Sequence, residues 1–292
     1  MRDTKKFKFG SVSALAFGTW RIGGGYWYAD HSKDNQWISA IRKAIELGIT
    51  AIDTAEMYGN GHAEELIGIA IKDYPREDLF IVSKVWPTHA KFDDVLKSAM
   101  ASYKRLNTYI DLYLLHAPSR VDICETIKAF EFLVDKGIIR FFGLSNFDIN
   151  KIKRAESCVK KYEIVAIQNH YSLLSRDDEM DIIPYATKKG IMYMAYTPLE
   201  SGVLAKNSFL AEIGKKYNKT PTQIALNWYI CWDNIVPIVK ASRIEHVEEN
   251  AGSMGWRLAR EDWKRIDEHF KSKNYIIDKL LGFVKSLRPW SS

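Results

Sequence analysis

Cysteine is scarce: Cys124, Cys158 and Cys231 are the only three in 292 residues. None stands in a C-x-x-C pair, which argues against a zinc site and a disulfide framework and leaves three small interior hydrophobes as the expectation. Long apolar runs are missing as well. No stretch reaches the ~18 residues that a membrane-spanning helix requires. The first nine residues are charged and no apolar region follows them, so no secretory leader is expected and the cytoplasm is the default compartment. Without secretion, the sequon-like Asn218-Lys219-Thr220 carries no weight. No Pro-, Gly- or Ser-rich linker interrupts the chain, and one domain over residues 1–292 is expected. The formal net charge of +6 suits a polyanionic ligand. Lys and Arg are scattered rather than grouped and no nucleic-acid motif occurs, so neither nucleic acid nor membrane is an expected partner.

Short β-branched runs alternate with longer stretches of helical period. The strand-like runs are Ala14–Phe17, Ile49–Ile52, Leu79–Val82, Ile110–Leu115, Ile138–Leu144, Ile164–Ile167, Ile191–Ala195 and Ile235–Val239. Between them lie amphipathic stretches such as Trp37–Leu47, His62–Ile71, Phe92–Leu106, Ile123–Lys136, Ile149–Lys160 and Asp177–Lys189. Gly48, Gly137 and Gly190 each follow such a stretch, where a helix C-terminus turns. Continuous apolar strands imply burial on both faces and parallel pairing. Eight units predict an α/β fold, a parallel eight-stranded (β/α)8 TIM barrel. Thr4–Phe9 and Ser11–Leu15, turning at Gly10, predict a short hairpin capping the barrel bottom. The rival doubly wound nucleotide-binding fold requires G-x-G-x-x-G; the nearest match, Gly59-Asn60-Gly61-His62-Ala63-Glu64, has Glu where the third glycine belongs.

Asp53, Lys84 and His116 stand at the ends of three successive strands, about 30 residues apart, as βα units dictate. Parallel strands present all three at one rim, the C-terminal face where barrel enzymes carry their sites. Tyr58 lies in the loop after Asp53 and can fold back over that rim. A lysine ammonium beside a tyrosine is expected to lower the phenol toward neutrality, Asp53 to hold the ammonium, and His116 to orient a carbonyl oxygen. Such a set moves a proton onto or off an oxygen.

Asp53-Thr54-Ala55-Glu56-Met57-Tyr58-Gly59, Ser83-Lys84-Val85-Trp86 and Leu114-Leu115-His116 resemble the aldo-keto reductases. So do Gly18-Thr19-Trp20, Gly143-Leu144-Ser145-Asn146-Phe147, Gln168-Asn169-His170-Tyr171, Ala195-Tyr196-Thr197-Pro198-Leu199 and Val239-Lys240-Ala241-Ser242-Arg243, in the family's order. The resemblance implies a (β/α)8 barrel that reduces aldehydes or ketones reversibly with NADPH and no metal. It makes Tyr58 the general acid/base, Lys84 and Asp53 its tuning pair, and His116 the substrate-orienting residue. It assigns Ser145, Asn146 and Gln168 to the nicotinamide carboxamide and Tyr196 to the nicotinamide ring, with Pro198 and Leu199 beside it. Lys240, Ser242 and Arg243 fall to the adenosine 2′-phosphate and pyrophosphate, and Glu249 and Asn250 to the adenine. Two positions depart from the family pattern: His246 and Ser242 stand where many members carry Arg, which keeps NADH open as the alternative cofactor.

Trp20, Trp27, Trp86 and Phe147 are candidate substrate-pocket walls, since bulky rings desolvate a carbonyl. Gly23-Gly24-Gly25 reads as a flexible loop over the site, and the short basic tail Asn274–Ser292 as leaving the site open and broad in specificity. The functional expectation is reversible reduction of small aldehydes, sugars or polyols by a monomer or weak homo-oligomer. The alternative is a non-enzymatic, cofactor-binding regulatory subunit of the same family.

Overall fold

The computed structural model describes residues 3–271. A two-stranded antiparallel hairpin, β1 (Thr4–Phe7) and β2 (Gly10–Ser13), opens the chain. Gly10 pairs with Phe7, so the turn is Lys8-Phe9, two residues earlier than a turn centred on Gly10. Eight parallel strands follow: β3 (Ala16–Gly18), β4 (Ala51–Asp53), β5 (Phe80–Val85), β6 (Ile110–Leu115), β7 (Ile139–Ser145), β8 (Ile164–His170), β9 (Met192–Tyr196) and β10 (Ile235–Val239). They close in sequence order, with β10 pairing back onto β3, as expected of a (β/α)8 barrel.

Side chains two apart on a strand share a face, and the interior face explains both the core and the rim. Ala51, Phe80, Val82, Leu112, Leu114, Ala166, Met192, Met194, Val236 and Ile238 form one buried cluster inside the barrel. Continuing each strand by two residues on that same face reaches Asp53, Lys84, His116, Gln168, Tyr196 and Lys240. The inward face is therefore apolar below and polar at the C-terminal mouth. A second buried cluster fills the layer between the strands and the surrounding helices.

The helices are α1 (Asp34–Glu46), α2 (His62–Ala70), α3 (Phe92–Leu106), α4 (Ile123–Asp135), α5 (Ile149–Glu156), α6 (Ile182–Lys189), α7 (Ser208–Tyr217), α8 (Pro221–Ile230) and α9 (Ile244–Ala251). Residues 260–271 are helical as well. Gly48, Gly137 and Gly190 all adopt positive φ just past their helices. The expected helix over Asp177–Lys189 divides into a short 3-10 turn, Asp177–Glu179, and α6. Pro184 accounts for the division, because a residue without an N–H is tolerated only in a helix's first turn. Asp181 caps the new start by accepting from the Ile182 N–H at 2.6 Å. Thr220 of the sequon-like triplet is the N-cap of α8, in a capping box with Gln223.

Two readings change. Cys124 and Cys158 are bonded to each other, with Cα atoms 5.0 Å apart, and Cys231 alone is free. Stacking of neighbouring βα units brings the start of α4 against the end of α5, which no local cysteine spacing announces. The expectation of three unpaired interior cysteines therefore holds for Cys231 alone. Lys5, one of the charged N-terminal residues, is buried rather than solvated and donates to the carbonyls of Tyr229 (3.3 Å), Ile235 (2.6 Å) and Trp232, tying the hairpin to the barrel. Among the described residues no helix is long and apolar enough to cross a membrane. The tail Asn274–Ser292 lies outside the described residues.

Candidate active site

At the C-terminal mouth of the barrel a cleft of about 810 Å³ opens between the strand ends and the loops after β3, β4 and β9. Asp53 closes β4 and Lys84 lies within β5, one residue short of its end, rather than after it. The strand runs on past the apolar stretch because Lys84 continues the inward face of Phe80 and Val82. Lys84 is fully buried and Asp53 is 4% exposed. The lysine Nζ donates to Asp53 Oδ2 at 2.8 Å and to the Thr54 carbonyl at 2.8 Å, and it lies 3.4 Å from Tyr58 Oη. Gln168 Nε2 donates to the other Asp53 oxygen at 2.8 Å. The carboxylate is thus held from two sides.

Tyr58 folds back as expected, and the turn after it explains how. Gly59 has φ 59°, and a Cβ there would lie 2.2 Å from the Gly23 carbonyl oxygen. The loop after β3 therefore presses directly on the Tyr58 turn. Gly24 is as tight: a Cβ there would meet the Tyr28 carbonyl oxygen at 2.1 Å. The Gly23–Gly25 run serves close approach rather than flexibility. It is stitched by Gly59 N–H to Gly25 O (2.8 Å) and Asp30 N–H to Gly23 O (2.9 Å).

Burial, and then the Asp53 carboxylate, hold the Tyr58 phenol well above its ordinary range. The expectation of a phenol lowered toward neutrality is not met in this pocket, because burial, and after it the Asp53 carboxylate, penalises the phenolate. Burial draws Lys84 itself below its ordinary range, against the pull of Asp53. A phenol that keeps its proton, 3.4 Å from an ammonium, is an acid whose conjugate base is stabilised where it forms.

His116 follows β6 and lines the same cleft, edge-on to Trp86 at 5.2 Å and to Tyr58 at 5.8 Å. Its Nδ1 is enclosed without a partner, which leaves Nε2 open to the cleft. Burial, and then the Lys84 charge, push this histidine down to about 3. An unfolded histidine takes up a proton near pH ~6.5 and the folded one does not. Its contribution to stability is therefore complete above that pH and is lost as pH falls toward 3. Urea unfolding at pH 7 and pH 5 is expected to show a larger acid loss for the wild type than for His116→Gln. Equal losses would mean that the ring does not feel its burial.

Ser145, Asn146, Gln168 and Tyr196 stand together along one wall. Asn146 Nδ2 donates to the His116 carbonyl at 2.8 Å, and the Tyr196 hydroxyl donates to Asn146 Oδ1 at 2.7 Å. With Asn146 committed, the Ser145 hydroxyl and the Gln168 carbonyl are the donor and acceptor left for a bound amide. Pro198, Leu199, Lys240, Glu249 and Asn250 line the far end of the cleft. Ser242 and Arg243 fall outside the lining; Arg243 bonds His246, which does line it, and the Ser242 carbonyl accepts from Gln36 Nε2 at 2.7 Å. Burial, and then Arg21 and Lys33, draw Lys240 below its usual range, and among the described residues no carboxylate opposes it. Positive charge gathered at this end of the cleft suits a polyanion.

Trp20 and Trp86 line the cleft as expected. Trp27 does not: it is 41% exposed and packs edge-on against Trp86 at 6.0 Å. Phe147 is 3% exposed in the core, where its backbone is clamped to Asn169 (N–H to Oδ1, 3.2 Å). The turn at Asn146, with φ 63°, precedes it. Tyr26 and Arg21, missed in the sequence, join the lining. Tyr26 pairs with Tyr58 through an isolated bridge and packs on Trp20 at 4.5 Å. Glu56 is a missed positioning residue; its Oε1 accepts from the Trp86 N–H at 2.7 Å and faces His89 Nδ1 at 2.9 Å.

The sequence pattern of the aldo/keto reductase family matches residues 14–271. Methylglyoxal reductase YeaE of Escherichia coli K12 is 36% identical over 267 residues, 89% of this chain and 92% of the relative. The thermostable aldo-keto reductase Tm1743, solved with the inhibitor epalrestat, superposes with a TM-score of 0.86 at 42% identity, covering 91% of this chain and 98% of that one. An aldo/keto reductase from Klebsiella pneumoniae, solved with NADP and acetate, gives 0.85 at 33% identity, covering 92% and 96%. A closed (β/α)8 barrel, a buried carboxylate, lysine and tyrosine at its C-terminal mouth, and a match spanning nearly all of the described chain agree: the protein belongs to the aldo/keto reductase family.

Proposed function

We propose that this chain is an NADPH-dependent carbonyl reductase of small aldehydes, α-oxoaldehydes such as methylglyoxal among them, with Tyr58 as the proton donor. The observation that carries the reading is the buried chain from Asp53 through Lys84 to Tyr58 Oη, opening on a cleft that His116 also lines. The residues present fit the cofactor. Ser145 and Gln168 offer the donor and acceptor that a carboxamide requires, the Tyr196 ring supplies a flat face, and Lys240 with Arg21 supplies positive charge for phosphates. When bound, NADPH supplies the hydride.

The chain's own residues do the rest. Neutral His116 orients the substrate carbonyl through Nε2, and Tyr58 Oη gives its proton to the carbonyl oxygen. Lys84 stabilises the phenolate left behind, and Asp53 holds Lys84 in place. Trp20, Trp86 and Tyr26 exclude water from the reacting carbon. Half of such a wall is supplied by a loop held on the Tyr58 turn, which favours small substrates.

The test is loss of NADPH absorbance with a panel of aldehydes, ketones and sugars, and its appearance from NADP with polyols. Turnover of short aldehydes is expected; cofactor binding without turnover of any carbonyl would point instead to the regulatory, non-enzymatic reading. Lys240→Ala separates the cofactors. Losing one charge-assisted phosphate contact of about 1.5–3 kcal/mol should raise the KM for NADPH by roughly 10- to 100-fold. The KM for NADH should change far less. Equal effects on both would remove Lys240 from the 2′-phosphate.

A further inference from the structure

Away from the cleft lining, where the loop after β3 meets the start of α2, His31, Asp34 and His62 converge. Asp34 opens α1, His62 opens α2, and His31 lies in the loop just before α1. The two imidazole rings are 4.0 Å apart between centroids. The Asp34 carboxylate serves both: Oδ1 is 2.9 Å from His62 Nε2 and Oδ2 is 3.4 Å from His31 Nδ1. One ligand atom from each of the three residues lies within 4.8 Å of the others. The reduction chemistry uses none of them.

We propose that His31, Asp34 and His62 form a binding site for one divalent transition-metal ion of the zinc class. Three features carry it. First, bonds of ~2.0–2.1 Å to imidazole nitrogen and carboxylate oxygen in a tetrahedral arrangement place neighbouring ligand atoms about 3.3 Å apart. The Asp34 carboxylate stands 2.9 and 3.4 Å from the two rings through its two oxygens, and with one ligand atom from each residue within 4.8 Å of the others an ion would draw the set together by up to about 1.5 Å, a movement the exposed His31 side chain can supply. Second, the outer shell is built. Glu65 Oε2 lies 2.8 Å from His62 Nδ1. That contact places a proton on Nδ1 and fixes the ring, while Nε2, which donates to Asp34 Oδ1 in the metal-free protein, would give up its proton as an ion takes its lone pair, leaving the carboxylate–histidine arrangement that orients a metal-bound imidazole. Third, the charges match: the Asp34 and Glu65 carboxylates carry two negative charges, which a divalent ion neutralises once it displaces the ring proton.

The N,N,O donor set selects zinc, nickel or copper over magnesium or calcium. His62 is 6% exposed and gives the site a fixed wall, while His31, with 67% of its side chain exposed, leaves an entry path and an open coordination position for water. The ion would pin the loop that carries Arg21, Tyr26 and Lys33 to the helix that begins four residues after Tyr58. Its role is that of a clamp on the loop, independent of the proton-transfer reading.

Untagged protein, stripped with a chelator, is titrated with Zn2+ by calorimetry and with Co2+ by visible absorbance. Expected are one equivalent of Zn2+ at low-micromolar affinity or tighter, d–d bands of a low-coordinate Co2+ adduct, and no response to Mg2+ or Ca2+. His31→Ala, an exposed change that leaves the fold intact, should weaken Zn2+ binding at least tenfold and abolish the Co2+ bands; Asp34→Asn should do the same. A zinc-induced rise in Tm should appear in the wild type and vanish in His31→Ala. Absence of saturable binding, equal binding by His31→Ala, or equal binding of Mg2+ would each overturn the assignment.

Discussion

Tyr58→Phe is expected to lower kcat for aldehyde reduction by at least about 10²-fold, the lower end of what a positioned proton donor contributes, while leaving NADPH affinity nearly unchanged. The change removes one oxygen, which accepts from Lys84 Nζ at 3.4 Å. The ring keeps its packing against Trp20 at 5.1 Å and His116 at 5.8 Å. Structure and cofactor site therefore stay, and only the proton goes. The pH dependence has a definite sign. Because burial and Asp53 hold the phenol protonated well above its ordinary range, the acid is fully present through neutrality. Reduction should stay flat across neutral pH and fall only on the alkaline side, while the reverse oxidation, which requires the phenolate, should climb with pH. Steady-state rates in both directions, with cofactor binding followed by fluorescence quenching, check this. A phenylalanine variant with wild-type turnover would take Tyr58 out of the chemistry.

The sequence discloses some of these elements more clearly than others, for physical reasons. Ile110–Leu115 and Ile235–Val239 coincide with their observed strands because every residue is buried and the runs, Asp111 apart, stay apolar to the last residue. The strand around Lys84 extends past its apolar run, as does the one around Gln168, because the inward face turns polar at the mouth while the backbone stays extended. A polar residue there reads as the end of a strand when it is the start of a site. Asp53, Lys84 and His116 are legible for the same reason: βα spacing alone puts them on one rim. Tyr26 and Arg21 sit in a glycine-rich loop with no periodicity, and only the tight approach of Gly24 and Gly59 fixes where they fall. Phe147 is misread because a left-handed turn at Asn146 sends the following chain into the core. The Cys124–Cys158 pair depends on how two helices stack, which neither cysteine's neighbours encode.

The second large effect concerns the buried pair beneath the tyrosine. Lys84→Met should leave the Asp53 carboxylate, 4% exposed, with only the Gln168 amide for company. Stripping one partner from a buried ion pair costs about 3–5 kcal/mol, because the remaining charge stays desolvated. At a few degrees per kcal/mol, Tm should fall by roughly 10 °C, and reduction should be lost as well, since nothing then stabilises the phenolate. Those two consequences have separate origins and can be pulled apart. In the double variant Asp53→Asn/Lys84→Met no buried charge remains, and an amide still meets Gln168, so most of the stability should return. Activity should not, because the ammonium beside Tyr58 Oη is still missing. Thermal unfolding and NADPH turnover on the two single variants and the double form the cycle that measures this. Recovery of both properties together would reduce the pair to a structural element; recovery of stability alone places Lys84 in proton transfer, with Asp53 as the group that keeps its charge affordable in the barrel interior.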